Sequence, residues 1–271
     1  MRTAWLFPGQ GSQRAGMGAE EFDRFPQLCA QADDVLGYSV RELCLTDAAR
    51  LRQTRYAQPA LYVVGALAYL ARERDGGRPD FLAGHSLGEY GALFAAGCVD
   101  FATGLRLVAR RAELMEQAAG GAMAAVVGVD PDRLAALLAG EALAGLDVAN
   151  YNSPDQVVVS GPQPAIRALT QAVRELGSGT CIALNVSVAC HSRYMAPAAV
   201  AFGEALAGVR FAAPNIPLIS NVTARPHRVE SVAELLAAQI RRPVRWLDSM
   251  RYLIDEGVTG IEEIGPGDVL T

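Results

Sequence analysis

The chain has 271 residues, of which 51% are hydrophobic, so it is long enough to bury a large core. Its formal net charge is −5, and an acidic balance of this kind gives no electrostatic footprint for nucleic acid. The negative net charge would also disfavour binding of an acidic partner unless the surface carries a local basic patch. The segment "RRPVRW" (241–246) is one candidate for such a patch. No apolar run is long enough to span a bilayer without charge.

The first residues and the cysteines indicate a compartment. The start, "MRTAWLFPGQGSQ", is unlike a secretory signal because Pro8 and Gly9 break its apolar run early. The five cysteines are odd in number and form no CxxC pair. We therefore expect reduced thiols in a cytoplasmic protein, with neither a disulfide framework nor a zinc site.

The first predicted elements alternate between strand and helix. Two short apolar runs, residues 3–11 and 81–88, end in glycine turns and predict buried parallel strands. Helical patterns cover residues 59–74, with Pro59 in the first turn, and residues 104–118. This alternation predicts an α/β core with a parallel sheet.

The pattern changes at residue 122. It predicts a strand, a helix, two strands, a helix and a strand, at residues 122–129, 131–140, 146–152, 156–161, 163–177 and 181–186. This βαββαβ order is that of a ferredoxin-like unit, here a small subdomain (122–187) inserted into a larger one (1–121 and 188–271). We expect the active site in the cleft between the two. The larger subdomain then continues with helices at 196–209 and 232–240 and a strand at 217–222.

Residues 84–88, "GHSLG", match the G-x-S-x-G pattern, with a predicted strand before them and a helix after them. A sharp turn between strand and helix exposes the hydroxyl of Ser86, and the helix that starts there directs backbone N–H groups toward a developing oxyanion. An ordinary glycine turn is the alternative for the pentapeptide alone. The context favours a nucleophile elbow, as in an α/β-hydrolase-like subdomain.

A nucleophilic serine needs a base, and the chain contains three histidines. His85 adjoins Ser86, so we interpret it as a residue that braces the turn. His227 lies in the polar segment "ARPHRVE", where we expect it to be solvated. His191, at the exit of the small subdomain, is therefore the candidate base.

Cys190 directly precedes His191, which raises the alternative of a thiol nucleophile. Adjacent residues of an extended segment point to opposite sides, so Cys190 would be badly placed to share a proton with His191. No motif supplies the surroundings that activate a thiol. We therefore interpret Cys190 as a residue other than the nucleophile.

Arg111 carries the most informative charge of the predicted helix 104–118, because it shares the apolar face of that helix with Leu107 and Leu114. A buried guanidinium needs an anion. The anion is either an internal carboxylate or a substrate carboxylate held bidentately, and periodicity alone leaves both alternatives open.

Motifs along nearly the whole chain resemble those of the malonyl-CoA:acyl-carrier-protein transacylases and the related acyltransferase domains of polyketide and fatty acid synthases. They are "FPGQGSQ" (7–13), "AQPALY" (57–62), "GHSLGEYGALFAAG" (84–97), "LVARRAELM" (107–115), "YNSPDQVVVSG" (151–161), "CHSRYM" (190–195), "ISNVTA" (219–224), "QIRRPVRW" (239–246) and "EIGPGDVL" (263–270). "GHSLGEY" most resembles the discrete, trans-acting acyltransferases that serve modular synthases.

The resemblance implies a ping-pong exchange of an acyl group between thioesters. Ser86 would attack acyl-CoA, and His191 would take and return the proton. The backbone carbonyl of Gln239, rather than an aspartate, would orient the imidazole. The backbone N–H groups of Gln10 and Leu87 would form the oxyanion hole.

The resemblance also implies the substrate contacts and the partners. Arg111 would bind the malonyl carboxylate, which favours the substrate alternative for that charge, and Gln58 would lie near the acyl pocket. The acyl group would pass from CoA to the phosphopantetheine thiol of an acyl carrier protein. No metal or resident cofactor is implied, and neither nucleic acid nor a membrane is a partner. Relatives of this size imply a monomer.

Two features depart from the family pattern. The chain ends just after "GPGDVLT", where relatives continue, so further C-terminal structure is either missing from this sequence or dispensable. Cys190 stands where malonyl-specific synthase domains typically carry Phe and where domains for α-substituted units carry a smaller residue. We interpret Cys190 as a wall of the acyl pocket, and the extender unit is left open between malonyl and α-substituted malonyl.

Two other functions compete with acyl transfer. A hydrolase of the same fold would clear acyl chains from carrier proteins, but such relatives tend to lack the arginine at the position of Arg111. A non-catalytic docking module is disfavoured by the presence of Ser86, His191 and Arg111 together.

Overall fold

The computed structural model describes residues 2–118 and 120–270. The chain begins with strand β1 (Arg2–Phe7), followed by helices α1 (Ala19–Arg24), α2 (Pro26–Leu36), α3 (Val40–Thr46) and α4 (Thr54–Arg74). Strand β2 (Phe81–Gly84) and helices α5 (Gly88–Ala95) and α6 (Phe101–Gln117) come next. The side chain of Asp100 caps α6 by accepting a hydrogen bond from the backbone N–H of Thr103 at 2.8 Å. This cap fixes the start of the helix that carries Arg111.

A second sheet occupies the middle of the chain. Its elements are β3 (Gly121–Val127), α7 (Pro131–Leu138), β4 (Asp147–Ser153), β5 (Gln156–Pro162), α8 (Gln163–Glu175) and β6 (Thr180–Ala183). The four strands are antiparallel in the order β4-β5-β3-β6. The two helices cover one face, where Leu134, Ile166 and Leu169 are buried. The predicted ferredoxin-like βαββαβ unit is thereby confirmed.

The last part of the chain completes the first sheet. It contains α9 (Ala196–Leu206), β7 (Leu218–Ile219), α10 (Val232–Gln239), α11 (Trp246–Asp255) and β8 (Val258–Glu263). Strands β7, β2, β1 and β8 lie side by side in that order, and every pair is parallel. Strands of a parallel sheet are covered on both faces, and Trp5, Leu6 and Leu82 are accordingly no more than 2% exposed. The predicted α/β core with a parallel sheet is confirmed.

The carboxyl ends of the parallel strands position the site. Ser86 comes two residues after β2, and Asn221 comes two residues after β7. The backbone N–H of His85 donates to the carbonyl of Phe7, the last residue of β1, at 2.9 Å. Ligands of open α/β sheets bind beyond this edge. The fold therefore brings the segments that follow β1, β2 and β7 to one place.

A backbone connection joins the two sheets close to this edge. The N–H of Val244 donates to the carbonyl of Ala149 at 2.8 Å, and the N–H of Tyr151 donates to the carbonyl of Val244 at 3.0 Å. These bonds fix β4 against the segment between α10 and α11.

Some elements differ from the sequence expectation. Helix α4 begins at Thr54, so Pro59 lies inside the helix rather than in its first turn. The φ angle of proline fits a helix, and the cost is the hydrogen bond that its missing N–H would have donated to the carbonyl of Arg55. The final strand of the small sheet ends at Ala183 rather than at residue 186. Helices α1, α2, α3 and α11 have no counterpart among the predicted elements.

Within the described residues, no helix combines the length and apolar character that crossing a membrane requires.

Candidate active site

The turn that carries Ser86 is a tight connection between β2 and α5. Ser86 has a φ angle of 52°, in the left-handed region that residues other than glycine rarely adopt. A Cβ atom on Gly88 would lie 2.0 Å from the carbonyl oxygen of Phe7, and one on Gly84 would lie 2.0 Å from the carbonyl carbon of Gly88. The two glycines therefore allow strand, turn and helix to pack backbone against backbone, as a nucleophile elbow requires.

His191 faces the hydroxyl of Ser86 across 105 positions of sequence. The distance between Ser86 Oγ and His191 Nε2 is 2.7 Å, and His191 Nδ1 lies 2.7 Å from the backbone carbonyl oxygen of Gln239. Because a carbonyl only accepts, Nδ1 carries the proton, and Nε2 is left as the acceptor for the serine hydroxyl. This tautomer suits a general base.

The surroundings of His191 keep its ring neutral. The residue is 3% exposed. Burial, together with the positive charge of Arg111, lowers the pKa of His191 to about 3. Near neutral pH the imidazole is therefore unprotonated and able to accept a proton from Ser86.

Arg111 is buried in the same site without a carboxylate partner. Nη1 donates to Gln58 Oε1 at 2.7 Å, while Nη2 donates to Gln239 Oε1 at 3.0 Å and to Ser86 Oγ at 3.2 Å. Among the described residues, no carboxylate oxygen lies within the 4.0 Å of an ion pair with this guanidinium. Of the two alternatives left open by the sequence, an internal carboxylate is therefore not met by a direct ion pair among the described residues.

Gln10 and Leu87 lie near Ser86. Leu87 is the residue after Ser86, and Gln10 follows β1; both line the cavity that contains Ser86 and His191. The side chain of Gln10 donates to Thr54 Oγ1 at 3.2 Å and accepts from Gln58 Nε2 at 3.4 Å. These bonds fix the side chain of Gln10 in the loop that follows β1.

The cavity has a volume of about 120 Å³. Besides the residues above, its walls include Met115, Met123, Asn150, Leu184, Val186 and Cys190. These residues come from α6, from strands β3 and β4 of the second sheet and from the segment after β6, so an acyl group bound here would contact both parts of the chain.

The comparisons with known proteins agree with this geometry. Residues 4–271 match the family described as acyl transferase domain.

The chain belongs to the acyl transferase domain family.

Several relatives resemble this acyl transferase domain along its whole length. The polyketide biosynthesis malonyl CoA-acyl carrier protein transacylase BaeC of Bacillus velezensis is 50% identical over 270 residues, covering 98% of this chain and 93% of BaeC. The polyketide biosynthesis protein ThaF of Burkholderia thailandensis is 52% identical, and the match covers 99% of this chain but only 23% of ThaF. The family resemblance expected from the sequence is confirmed.

Solved structures show the same fold. A malonyl CoA-acyl carrier protein transacylase from Burkholderia pseudomallei superposes with a TM-score of 0.95 at 50% identity, covering 100% of this chain and 95% of that one. A malonyl-transacylase in complex with a type II polyketide synthase acyl-carrier protein also gives a TM-score of 0.95, at 36% identity and covering 100% and 91% of the two chains.

Cys190 lines the cavity of this acyl transferase domain beside His191, so the argument that the two side chains point to opposite sides is wrong. The segment is not extended, because His191 has a φ angle of 56°. Burial raises the pKa of the Cys190 thiol to about 11. The thiol is therefore neutral near pH 7, and a neutral thiol is a poor nucleophile.

The other two histidines occupy different surroundings. His85 Nε2 lies 2.9 Å from Asn152 Oδ1, and the His85 ring meets Trp246 edge-on at 5.3 Å, which connects the turn to β4 and to α11. The expectation that His227 is solvated is wrong: its side chain is fully buried, and Nε2 lies 2.6 Å from Glu89 Oε1. The segment "ARPHRVE" is polar in sequence, but His227 itself points inward and forms a hydrogen bond with the carboxyl group of Glu89.

Two residues of the site were not predicted from the sequence. Glu89 and Asn221 are each 1% exposed beneath the turn. Asn221 Oδ1 accepts from the backbone N–H of Ser86 at 2.7 Å, and Asn221 Nδ2 donates to the carbonyl of Gly84 at 2.7 Å, so this side chain fixes the elbow. A charged residue in the otherwise apolar stretch after "GHSLG" was the available signal for Glu89.

Proposed function

We propose that the protein transfers a malonyl or α-substituted malonyl group from CoA to the phosphopantetheine thiol of an acyl carrier protein, through an ester on Ser86. One observation carries the proposal: Ser86 Oγ is hydrogen-bonded both to a neutral imidazole, His191, and to a buried cation, Arg111. Nucleophile, base and carboxylate receptor thus meet at one atom. The names of the transacylase relatives support the same reaction.

In the first half-reaction, His191 Nε2 takes the proton of Ser86 as Oγ attacks the thioester carbonyl of acyl-CoA. The tetrahedral oxyanion is stabilised by the backbone N–H groups of Gln10 and Leu87. The C–S bond then breaks, and the imidazolium returns its proton to the CoA sulfur. The Gln239 carbonyl accepts Nδ1–H throughout and holds the ring in place.

The second half-reaction runs the same steps in reverse. The carrier thiol gives its proton to His191 as sulfur attacks the Ser86 ester, and the collapse of the oxyanion returns the proton to Ser86 Oγ. Each proton that His191 takes up is returned, and the acyl group passes from CoA to the carrier without consuming any other reactant.

Arg111 selects acyl groups that end in a carboxylate. Its two Nη groups donate to Gln58, Gln239 and Ser86, which are all uncharged acceptors. A malonyl carboxylate offers two charged acceptors in the fork geometry of a guanidinium, so it replaces neutral hydrogen bonds with stronger ones. Gln58, which is 1% exposed, fixes the guanidinium plane from the opposite side.

The size of the Cys190 side chain determines how much space the cavity has for an α-substituent. Its small side chain packs with Met123 and Val186 at the wall of the cavity.

We propose that the cleft between a larger subdomain (1–121 and 188–271) and a small one (122–187) holds the acyl group. We also propose that the protein acts as a monomer in the cytoplasm. The exposed Arg241 and Arg242 follow Gln239 closely in the chain and offer positive charge to an acidic carrier.

Hydrolysis of stalled thioesters is the weaker alternative. A hydrolase of simple acyl chains has no use for a buried cation next to its nucleophile, and burying a guanidinium is costly. The position of Arg111 therefore favours transfer of dicarboxylic acyl groups.

Intact mass spectrometry tests the proposal. The protein is incubated with malonyl-, methylmalonyl-, ethylmalonyl- or acetyl-CoA and weighed, then mixed with a phosphopantetheinylated carrier protein. We expect a malonyl adduct that moves to the carrier and that the Ser86→Ala variant does not form. Rapid loss of the adduct to water, with no acylated carrier, would establish the hydrolase instead.

A further inference from the structure

Glu89 lies in the first turn of α5 with its carboxyl group buried beneath the Ser86 turn. Oε1 accepts from His227 Nε2 at 2.6 Å, and Oε2 accepts from Gln239 Nε2 at 2.6 Å. The backbone N–H of Asn221 points at both oxygens from 3.4 Å. Gln239 Nε2 and the Asn221 N–H can only donate, and we assign the ring proton of His227 to Nε2, so that Glu89 has the donor environment of an ionised carboxylate. A negative charge is thus enclosed next to the nucleophile, where it takes no part in the proposed proton transfers.

The side chain of Gln239 connects this carboxylate to Arg111. Its Nε2 donates to Glu89, and its Oε1 accepts from Arg111 Nη2 at 3.0 Å. The amide therefore turns its positive end to the anion and its negative end to the cation. Hydrogen bonds aligned in this way polarise and strengthen one another.

We propose that Glu89 is the counter-ion of Arg111 in the free enzyme and acts through the Gln239 amide. It is a positioning residue, because it stabilises the buried guanidinium without occupying the face that receives the substrate. A direct ion pair would also stabilise Arg111, but a malonyl carboxylate would then have to displace it. The inference rests on the proposed function, in which Arg111 binds that carboxylate.

The same amide fixes the geometry of the site in a second way. Gln239 Nε2 donates to the backbone carbonyl of Ser86 at 2.8 Å, besides its bond to Glu89. A neutral residue at position 89 would weaken the hold on the amide, and hence on the guanidinium. If Glu89 only stabilised the fold, its replacement would change the rates with all substrates equally. The experiment must therefore compare substrates with and without a carboxylate.

The test is a double-mutant cycle on substrate selectivity. Second-order rate constants for acylation of Ser86 are measured with malonyl-CoA and acetyl-CoA for the wild type, Glu89→Gln, Arg111→Ala and the double variant. We expect Glu89→Gln to lower the malonyl:acetyl ratio about tenfold, the factor that the loss of one charge-assisted hydrogen bond gives. In the Arg111→Ala background the same substitution should leave the ratio unchanged.

Asp33→Asn is the matched control, because it also replaces a carboxylate by an amide and the Asp33 carboxylate accepts from the backbone N–H of Val40, outside the site. The inference is overturned if Glu89→Gln leaves the ratio unchanged, or if it lowers the ratio equally in both backgrounds. Should Glu89→Gln not fold, Gln239→Met removes the bridge while keeping the backbone carbonyl that holds His191. It should then lower the ratio as well, and an unchanged ratio would overturn the inference.

The wild-type protein separates this inference from the proposed function. If it forms no transferable malonyl ester, the proposed function fails whatever the variants do. If it forms the ester and the ratios do not move, the failure belongs to Glu89 alone.

Discussion

Replacement of Arg111 by alanine is the most direct perturbation of substrate choice. The guanidinium is 1% exposed, and its Nη groups lie against Gln58, Gln239 and the nucleophile Ser86. Alanine removes the charge and both donor groups but leaves Ser86 and His191 in place. Acyl groups with a free carboxylate should therefore lose their receptor, while acetyl groups should not.

The expected magnitude follows from the number of donors. A bidentate carboxylate accepts from both Nη groups, and a hydrogen bond to a charged group contributes about 1.5–3 kcal/mol. Two such bonds contribute about 3–6 kcal/mol, which corresponds to a fall of about 10²- to 10⁴-fold in kcat/KM for malonyl-CoA. Acetyl-CoA makes neither bond, so its kcat/KM should change by less than about threefold, and its relative activity should rise.

The assay compares malonyl-CoA and acetyl-CoA as donors to one carrier protein. Arg110→Ala is the matched control, because this neighbour is exposed and its ion pair with Glu113, at 2.7 Å, lies outside the site. Thermal unfolding of both variants monitors the fold, since Arg111→Ala also leaves Gln58 and Gln239 without a donor. Unchanged malonyl kinetics in a folded Arg111→Ala variant would refute the carboxylate role.

A pH–rate profile of the Arg111→Ala variant and two further substitutions test other parts of the site. Removing the charge of Arg111 should raise the pKa of His191, which lies at about 3 in the wild type. As the pH is lowered, a pH–rate profile should therefore show the Arg111→Ala variant losing its acetylation rate at a higher pH than the wild type. Cys190→Phe should lower kcat/KM for methylmalonyl- and ethylmalonyl-CoA relative to malonyl-CoA about tenfold in a competition assay, because the ring fills part of a cavity of about 120 Å³. Gly88→Ala should lower the free energy of unfolding by more than about 3 kcal/mol in urea denaturation, because its Cβ would lie 2.0 Å from the Phe7 carbonyl oxygen.

Each of these expectations has a contrary outcome. Superimposable pH profiles would mean that Arg111 does not act on the charge of His191. Equal losses for all acyl donors in Cys190→Phe would place that side chain outside the pocket for the α-substituent. Gly208→Ala is the control for Gly88→Ala, because no atom lies within 4 Å of its added Cβ, and equal stability of the two variants would contradict the close packing of the elbow.

The elbow was predictable because its causes are local. Gly84, Ser86 and Gly88 lie within five positions, and the turn needs only a strand before them and a helix after them. The ferredoxin-like unit was predictable because the order of its strands and helices can be inferred from hydrophobic periodicity. The short helices α1 to α3 were not predicted, because they lack a long periodic pattern. They pack against α4 and α6, and these contacts cannot be inferred from local sequence.

The contacts of the charged residues depend instead on tertiary packing. Arg111 bonds Gln58 and Gln239, which are 53 and 128 positions away, and Glu89 bonds His227 across 138 positions. Periodicity placed Arg111 on a buried face but could not show which side chains surround it. The polar residues around His227 predicted that its side chain is exposed. This prediction was wrong because local composition does not show in which direction a side chain points.

The sequence by itself therefore determined the turn that carries Ser86 and the family to which the chain belongs. These follow from residues that are neighbours in the chain and from motifs in a fixed order. Only the tertiary structure decided that Arg111 has no direct carboxylate partner and that the amide of Gln239 stands between it and Glu89. The reason is physical: partners of buried charges are chosen by proximity in the folded core, where elements from distant parts of the chain meet.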